Sequence, residues 1–174
     1  MATRPTNLVL TGFMGTGKTT VGLILAEQLT LEFVDTDRVI VDRHGPVATI
    51  FEEHGEAAFR QIEAELAVEL ASRAGNVIST GGGMLLSAAN ADALESTGRI
   101  YCLTAEPELI VERVTGDESG AVRPLLAGDD PHAKIRSLLA ERAASYARFL
   151  PVATDGRAPS EVADVIAADW NAPH

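Results

Sequence analysis

The chain has 174 residues, 46% of them hydrophobic and 22% charged, which is enough for one domain with a sizeable core, and it carries a net charge of −11. That acidity argues against broad binding to nucleic acid or to a membrane surface, each of which needs a basic face, but leaves room for a small anion held by a few arginines. A single cysteine, Cys102, excludes an internal disulfide, and the lack of an apolar leader or a membrane-spanning run points to a cytoplasmic protein.

No repeat, low-complexity tract or linker divides the sequence, so residues 1–174 read as one domain. Apolar runs alternate with helix-like stretches, which predicts an α/β fold with a parallel sheet covered by helices on both faces. Asn7–Gly12 reads as the first strand, and a helix follows over about Lys18–Leu29, with Val21, Leu25 and Leu29 at helical spacing. Between them, residues 12–19 match G-x-x-x-x-G-K-[ST] in full, after a strand and opening a helix as that motif requires. Glycines there let backbone N–H groups approach a polyphosphate, and the helix N-terminus adds positive potential. Lys18 is one of only two lysines and can reach the β- and γ-phosphates, while the Thr19 hydroxyl can ligate Mg²⁺. The motif implies binding of a nucleoside triphosphate.

The second strand, Glu32–Asp35, ends in carboxylates. Asp35 is the metal-side candidate and Asp37 the candidate to face an acceptor, although aspartates at such a position also cap helices. Helical material runs from about Asp37 to Arg73, with breaks near Gly45-Pro46 and at Gly55. Within it, Arg60 and Glu63 are at i,i+3, close enough to pair and so to hold a guanidinium ready to grip a carboxylate. A third strand, Asn76–Thr80, stops at Gly81-Gly82-Gly83, where backbone can come close to a ligand.

Helix Ser87–Ser96 leads to strand Arg99–Leu103, in which Cys102 reads as a small buried hydrophobe, and a helix opens at Pro107 and runs to about Val114. Thr115–Asp130 lacks periodicity and reads as a mobile loop in which Arg123 could neutralise charge on a transferring phosphoryl group. A long helix is expected from Pro131 to near Leu150, with Arg142 and Tyr146 on one face, then strand Pro151–Thr154 and a helix from Pro159 to about Trp170, a packing anchor.

The ordered set GFMGTGKTTVG, DTD, FxxxGExxFRxxE, TGGG, RPLL and ERxxxY closely resembles shikimate kinase, from Leu8 to about Ile166. The resemblance implies a three-layer αβα P-loop kinase fold, its five-stranded parallel sheet ordered 2-3-1-4-5, with a substrate-binding helical segment at about 36–62 and a lid at about 115–130. It implies transfer from ATP to the 3-hydroxyl of shikimate with Mg²⁺, by a monomer with no nucleic-acid or membrane partner. ATP would be bound by Gly12, Gly15, Thr16, Gly17, Lys18, Thr19, Thr20, Arg123 and Arg157, and the metal by Thr19 and Asp35. Shikimate would be held by Asp37, Arg60, Gly81, Gly82, Gly83 and Arg142, with Lys18, Asp37 and Arg123 catalytic and Asp37 serving as orienting group or base. Two rivals stand beside this reading: the same chemistry on another small polyol acid such as gluconate, and a non-catalytic nucleotide-binding protein. The second would be expected to lose Lys18, Asp37 or Arg123, and all three are present.

Overall fold

A computed structural model describes residues 5–116 and 130–173. Five parallel strands, β1 (Asn7–Gly12), β2 (Glu32–Asp35), β3 (Asn76–Ser79), β4 (Gly98–Thr104) and β5 (Leu150–Ala153), lie in the order β2-β3-β1-β4-β5, as expected. The helices are α1 (Lys18–Leu29), α2 (Thr36–His44), α3 (Val47–Ala71), α4 (Ala88–Glu95), α5 (Pro107–Thr115), α6 (Pro131–Tyr146) and α7 (Pro159–Asn171), with a short 3-10 turn at Met84–Leu86.

Strand β1 is buried along all six residues, which is why it reads as a continuous apolar run rather than an alternating one. Its side chains divide between two cores. Leu8 and Leu10 pack with Val21 and Leu25 of α1 and Val162 and Ile166 of α7, where Trp170 adds partly buried cover. Val9 packs on the other face with Ile40 of α2, Phe59 and Leu66 of α3, Leu94 of α4 and the buried Cys102. A third cluster, Phe13 with Ile110, Val111, Ile135 and Leu138, lies beneath the loop after β1, against α5 and α6. In-register pairing of Asp35 with Ser79, and of Gly12 with Leu103, brings the carboxyl ends of the strands to one edge. Ligands bind beyond that edge in open α/β sheets.

Two boundaries differ from expectation for a physical reason. Helix α6 stops at Tyr146, four residues short of the expected end, because Phe149 turns inward to 5% exposure and its N–H bonds the Tyr146 carbonyl at 3.1 Å. Leu150 then opens β5 opposite Tyr101, a pairing that helical periodicity alone does not reveal. The break expected at Gly55 is present as a kink within α3, where φ of 81° suits a residue without Cβ.

Candidate functional site

The loop from Gly12 to Lys18 wraps the start of α1, whose N-terminus has no side-chain cap and so leaves N–H donors for an anion. At Gly12, φ is 133° and a Cβ would lie 2.3 Å from the Leu103 carbonyl oxygen, so no other residue fits. The loop is held from within and from outside. Thr16 Oγ1 donates to the Phe13 carbonyl at 2.7 Å, and Arg113 from α5 donates to the Gly15 carbonyl and to Thr154 Oγ1, both at 3.1 Å. Lys18 Nζ donates to the carbonyls of Gly12 and Phe13 at 2.8 and 3.0 Å. Burial strips water from this ammonium and lowers its pKa to about 8, against the opposing pull of Asp37 and Asp35.

Asp35 caps α2, as one of its two expected roles requires, and also meets Thr19. Its Oδ1 caps α2 by accepting from the Arg38 N–H at 3.2 Å, and its Oδ2 accepts from Thr19 Oγ1 at 3.0 Å. A hydroxyl and a carboxylate side by side at a phosphate loop form a hard-oxygen pair of the kind Mg²⁺ uses alongside water and phosphate oxygens. Among the described residues no group of three or more His, Cys, Asp or Glu could hold a metal by itself. Asp37, in the first turn of α2, has its pKa raised by desolvation and then by the neighbouring Asp35, while Lys18 opposes the shift.

The glycine triplet after β3 brings the remaining residues together. It is fixed by Thr80, whose N–H and hydroxyl both donate to the Leu10 carbonyl, and by Thr36, whose Oγ1 accepts from the Gly81 N–H at 2.9 Å. A Cβ on Gly81 would meet Asp37 Oδ1 at 2.4 Å. On Gly82 it would meet Arg142 Nη1 at 3.5 Å and the Gly12 carbonyl oxygen at 3.6 Å, and on Gly83 Arg60 Nη1 at 3.0 Å. Three consecutive glycines therefore abut three separate polar groups contributed by α2, α6 and α3.

Arg60 is gripped as its spacing suggests. Nη1 donates to Glu63 at 2.7 Å, Nη2 to Glu56 at 3.2 Å, and the guanidinium lies 5.4 Å from the Phe59 ring centroid. Glu63 is 3% exposed, and its burial raises its pKa despite the attraction of Arg60. Arg142 is 8% exposed and donates to the Gly82 carbonyl at 3.4 Å; Tyr146, one turn on, donates to the same oxygen at 2.9 Å. No described carboxylate pairs with Arg142, which leaves guanidinium donors without a partner among the described residues.

The structure places Gly12, Gly15, Thr16, Gly17, Lys18, Thr19 and Thr20 in the loop after β1 and the first turn of α1, sets Asp35 against Thr19, and brings Asp37, Arg60 and Arg142 against Gly81, Gly82 and Gly83. Arg157 is exposed in the turn before α7, its Nη1 donating to the Ala153 carbonyl at 3.5 Å. Arg123 and most of the expected lid, residues 117–129, lie outside the described residues. The sequence reading did not single out Arg113, whose only signal is a basic residue in the last turn of α5, or Phe13, which sits at a variable position of the motif.

The family model for shikimate kinase matches residues 14–170. A shikimate kinase of Symbiobacterium thermophilum is 44% identical over 159 residues, covering 90% of this chain and 91% of that protein. The structure of a shikimate kinase from Acinetobacter baumannii in complex with shikimate is 38% identical and superposes with a TM-score of 0.85 over 95% of this chain and 92% of that one. A gluconokinase from Sinorhizobium meliloti, 20% identical with a TM-score of 0.66 over 97% and 93% of the two chains, shares the fold alone.

Proposed function

This chain belongs to the shikimate kinase family, and from that premise we propose that it transfers the γ-phosphoryl group of ATP to the 3-hydroxyl of shikimate in aromatic amino acid biosynthesis. The observation that carries the reading to this chain's own residues is the glycine triplet that abuts Asp37, Arg142 and Arg60 in turn. A hydroxylated ring acid needs that set: donors for a carboxylate, an acceptor for hydroxyls, and backbone close enough to sit against the ring.

In this mechanism the loop N–H groups, Thr20 and Lys18 hold the triphosphate, with Arg123 and Arg157 completing the donor side. Thr19 and Asp35 would hold Mg²⁺, which would offset phosphate charge. Arg60 and Arg142 orient the acceptor through its carboxylate. Asp37 accepts a hydrogen bond from the attacking hydroxyl, and its raised pKa makes it the better proton acceptor. Lys18, between the phosphate loop and Asp37, stabilises the charge that develops on the equatorial oxygens. Positioning and electrostatics supply most of the acceleration in such a reaction.

We read residues 1–174 as one kinase domain, with an acceptor-binding segment at 36–62 and a lid at 115–130, acting as a cytoplasmic monomer without nucleic-acid or membrane partners. No described helix is long and apolar enough to cross a membrane. The test is a coupled ADP-release assay over shikimate, gluconate and other polyol acids. Turnover is expected with shikimate, and its absence there overturns the reading. A Gly81→Ala variant tests the placement of Asp37. The added Cβ must displace the carboxylate it meets at 2.4 Å, so kcat is expected to fall about 10²-fold, the scale of a misplacement near 1 Å, with the KM for ATP unchanged. A parental kcat in that variant would show that Asp37 is not held where the chemistry needs it.

A further inference from the structure

Phe13 fills a variable position of the phosphate-binding motif, and nothing in phosphate binding uses its side chain. Its ring is nonetheless only 1% exposed and is clustered with Ile110, Val111, Ile135 and Leu138. The buried residues of α6 are Ile135, Leu138 and Arg142, spaced by three and then four, so they form a single stripe that ends in an arginine. The guanidinium of Arg142 lies over the Phe13 ring, 5.2 Å from its centroid. A cation 8% exposed with no described carboxylate partner needs compensation, and the ring face and the Gly82 carbonyl provide it. The other end of Phe13 is gripped too, since its carbonyl accepts from Thr16 Oγ1 at 2.7 Å and Lys18 Nζ at 3.0 Å.

We infer that Phe13 is a positioning residue whose ring sets the guanidinium of Arg142 in the orientation that receives the acceptor's carboxylate, tying the phosphate loop to the acceptor side of the cleft. This rests on the reading that Arg142 binds that carboxylate. The ring is locked by α5 and α6 on its apolar side, so it presents a fixed face to the arginine. Aliphatic side chains can fill the same space but lack the negative face that steers a cation.

The test is a double-mutant cycle read by calorimetric titration of shikimate and, separately, of ADP into the full chain and its Phe13→Leu, Arg142→Ala and double variants. Phe13→Leu is expected to weaken shikimate about threefold to tenfold, the range of a partly desolvated cation–π contact, and to leave ADP affinity unchanged. Because the ring acts through the guanidinium, the double variant is expected to bind shikimate no more weakly than Arg142→Ala. Binding of shikimate methyl ester, which lacks the anionic carboxylate, is expected to be the same in the parent and in Phe13→Leu. Losses that add in the double variant, or a Phe13→Leu loss equal for shikimate and its ester, overturn the inference. Parental shikimate affinity in Arg142→Ala overturns instead the reading on which it rests. Should Phe13→Leu not fold, Phe13→Met carries the same cycle, being an unbranched fill that lacks a ring face.

Discussion

Replacing Lys18 with alanine is expected to lower kcat by about 10²–10³-fold, the cost of removing one preorganised group aimed at developing charge. The only other lysine, Lys134, is exposed on α6, so no second amine can take over. The coupled ADP-release assay measures the loss, and turnover within about tenfold of the parent would remove Lys18 from its role. Titration gives a second measurement. Burial lowers the pKa of Lys18 from 10.5 to about 8, and the ammonium is the form that attracts phosphate. Nucleotide affinity is therefore expected to be level below pH 8 and to fall as the pH rises through it. Stability moves the other way. Between about pH 8 and 10.5 the unfolded chain still holds the proton that folded Lys18 has lost, so the contribution of this group to stability rises with pH across that window. Lys18→Ala is expected to abolish both slopes. A slope in nucleotide affinity that persists in the variant would assign it to another group.

Arg60→Ala is expected to raise the KM for shikimate about 10–100-fold, the worth of charge-assisted hydrogen bonds to a carboxylate, with little change in the KM for ATP. If the KM for ATP rises instead, Arg60 belongs to the donor side. The substitution has a structural cost as well, because Glu63 is 3% exposed and loses the partner that donates to it at 2.7 Å. About 1–3 kcal/mol of stability is expected to be lost at neutral pH, as for other buried groups left unsatisfied. Adding Glu63→Gln removes the stranded charge and is expected to restore much of the melting temperature but none of the shikimate affinity. That split separates the two tasks of the pair. Recovery of both would reduce Arg60 to a structural residue.

Most of the donor side was legible in the chain because it is local. Residues 12–19 are contiguous, and their chemistry follows from glycine conformations and a helix start that any fold containing the motif must supply. Asp35 is legible in kind, as a cap or a metal-side acid, whereas the tertiary structure decides that one of its oxygens caps α2 while the other meets Thr19 at 3.0 Å. The end of α6 is not legible in the sequence because helical spacing continues past Tyr146, and only the inward turn of Phe149 and the pairing of Leu150 with Tyr101 stop it.

By itself the sequence determined the alternation of strands and helices, the phosphate loop and the i,i+3 coupling of Arg60 to Glu63, all of which are contacts between near neighbours along the chain. The tertiary structure decided which distant groups meet. Gly81, Gly82 and Gly83 abut Asp37, Arg142 and Arg60 because β3 lies between β1 and β2 and α6 returns across that edge. Phe13 lies beneath Arg142, 129 positions away, because α5 and α6 close a third core under the loop. Such pairings carry no local signature: burial and strand order set them, and a variable position in a motif shows its work only when its neighbours across the fold are known.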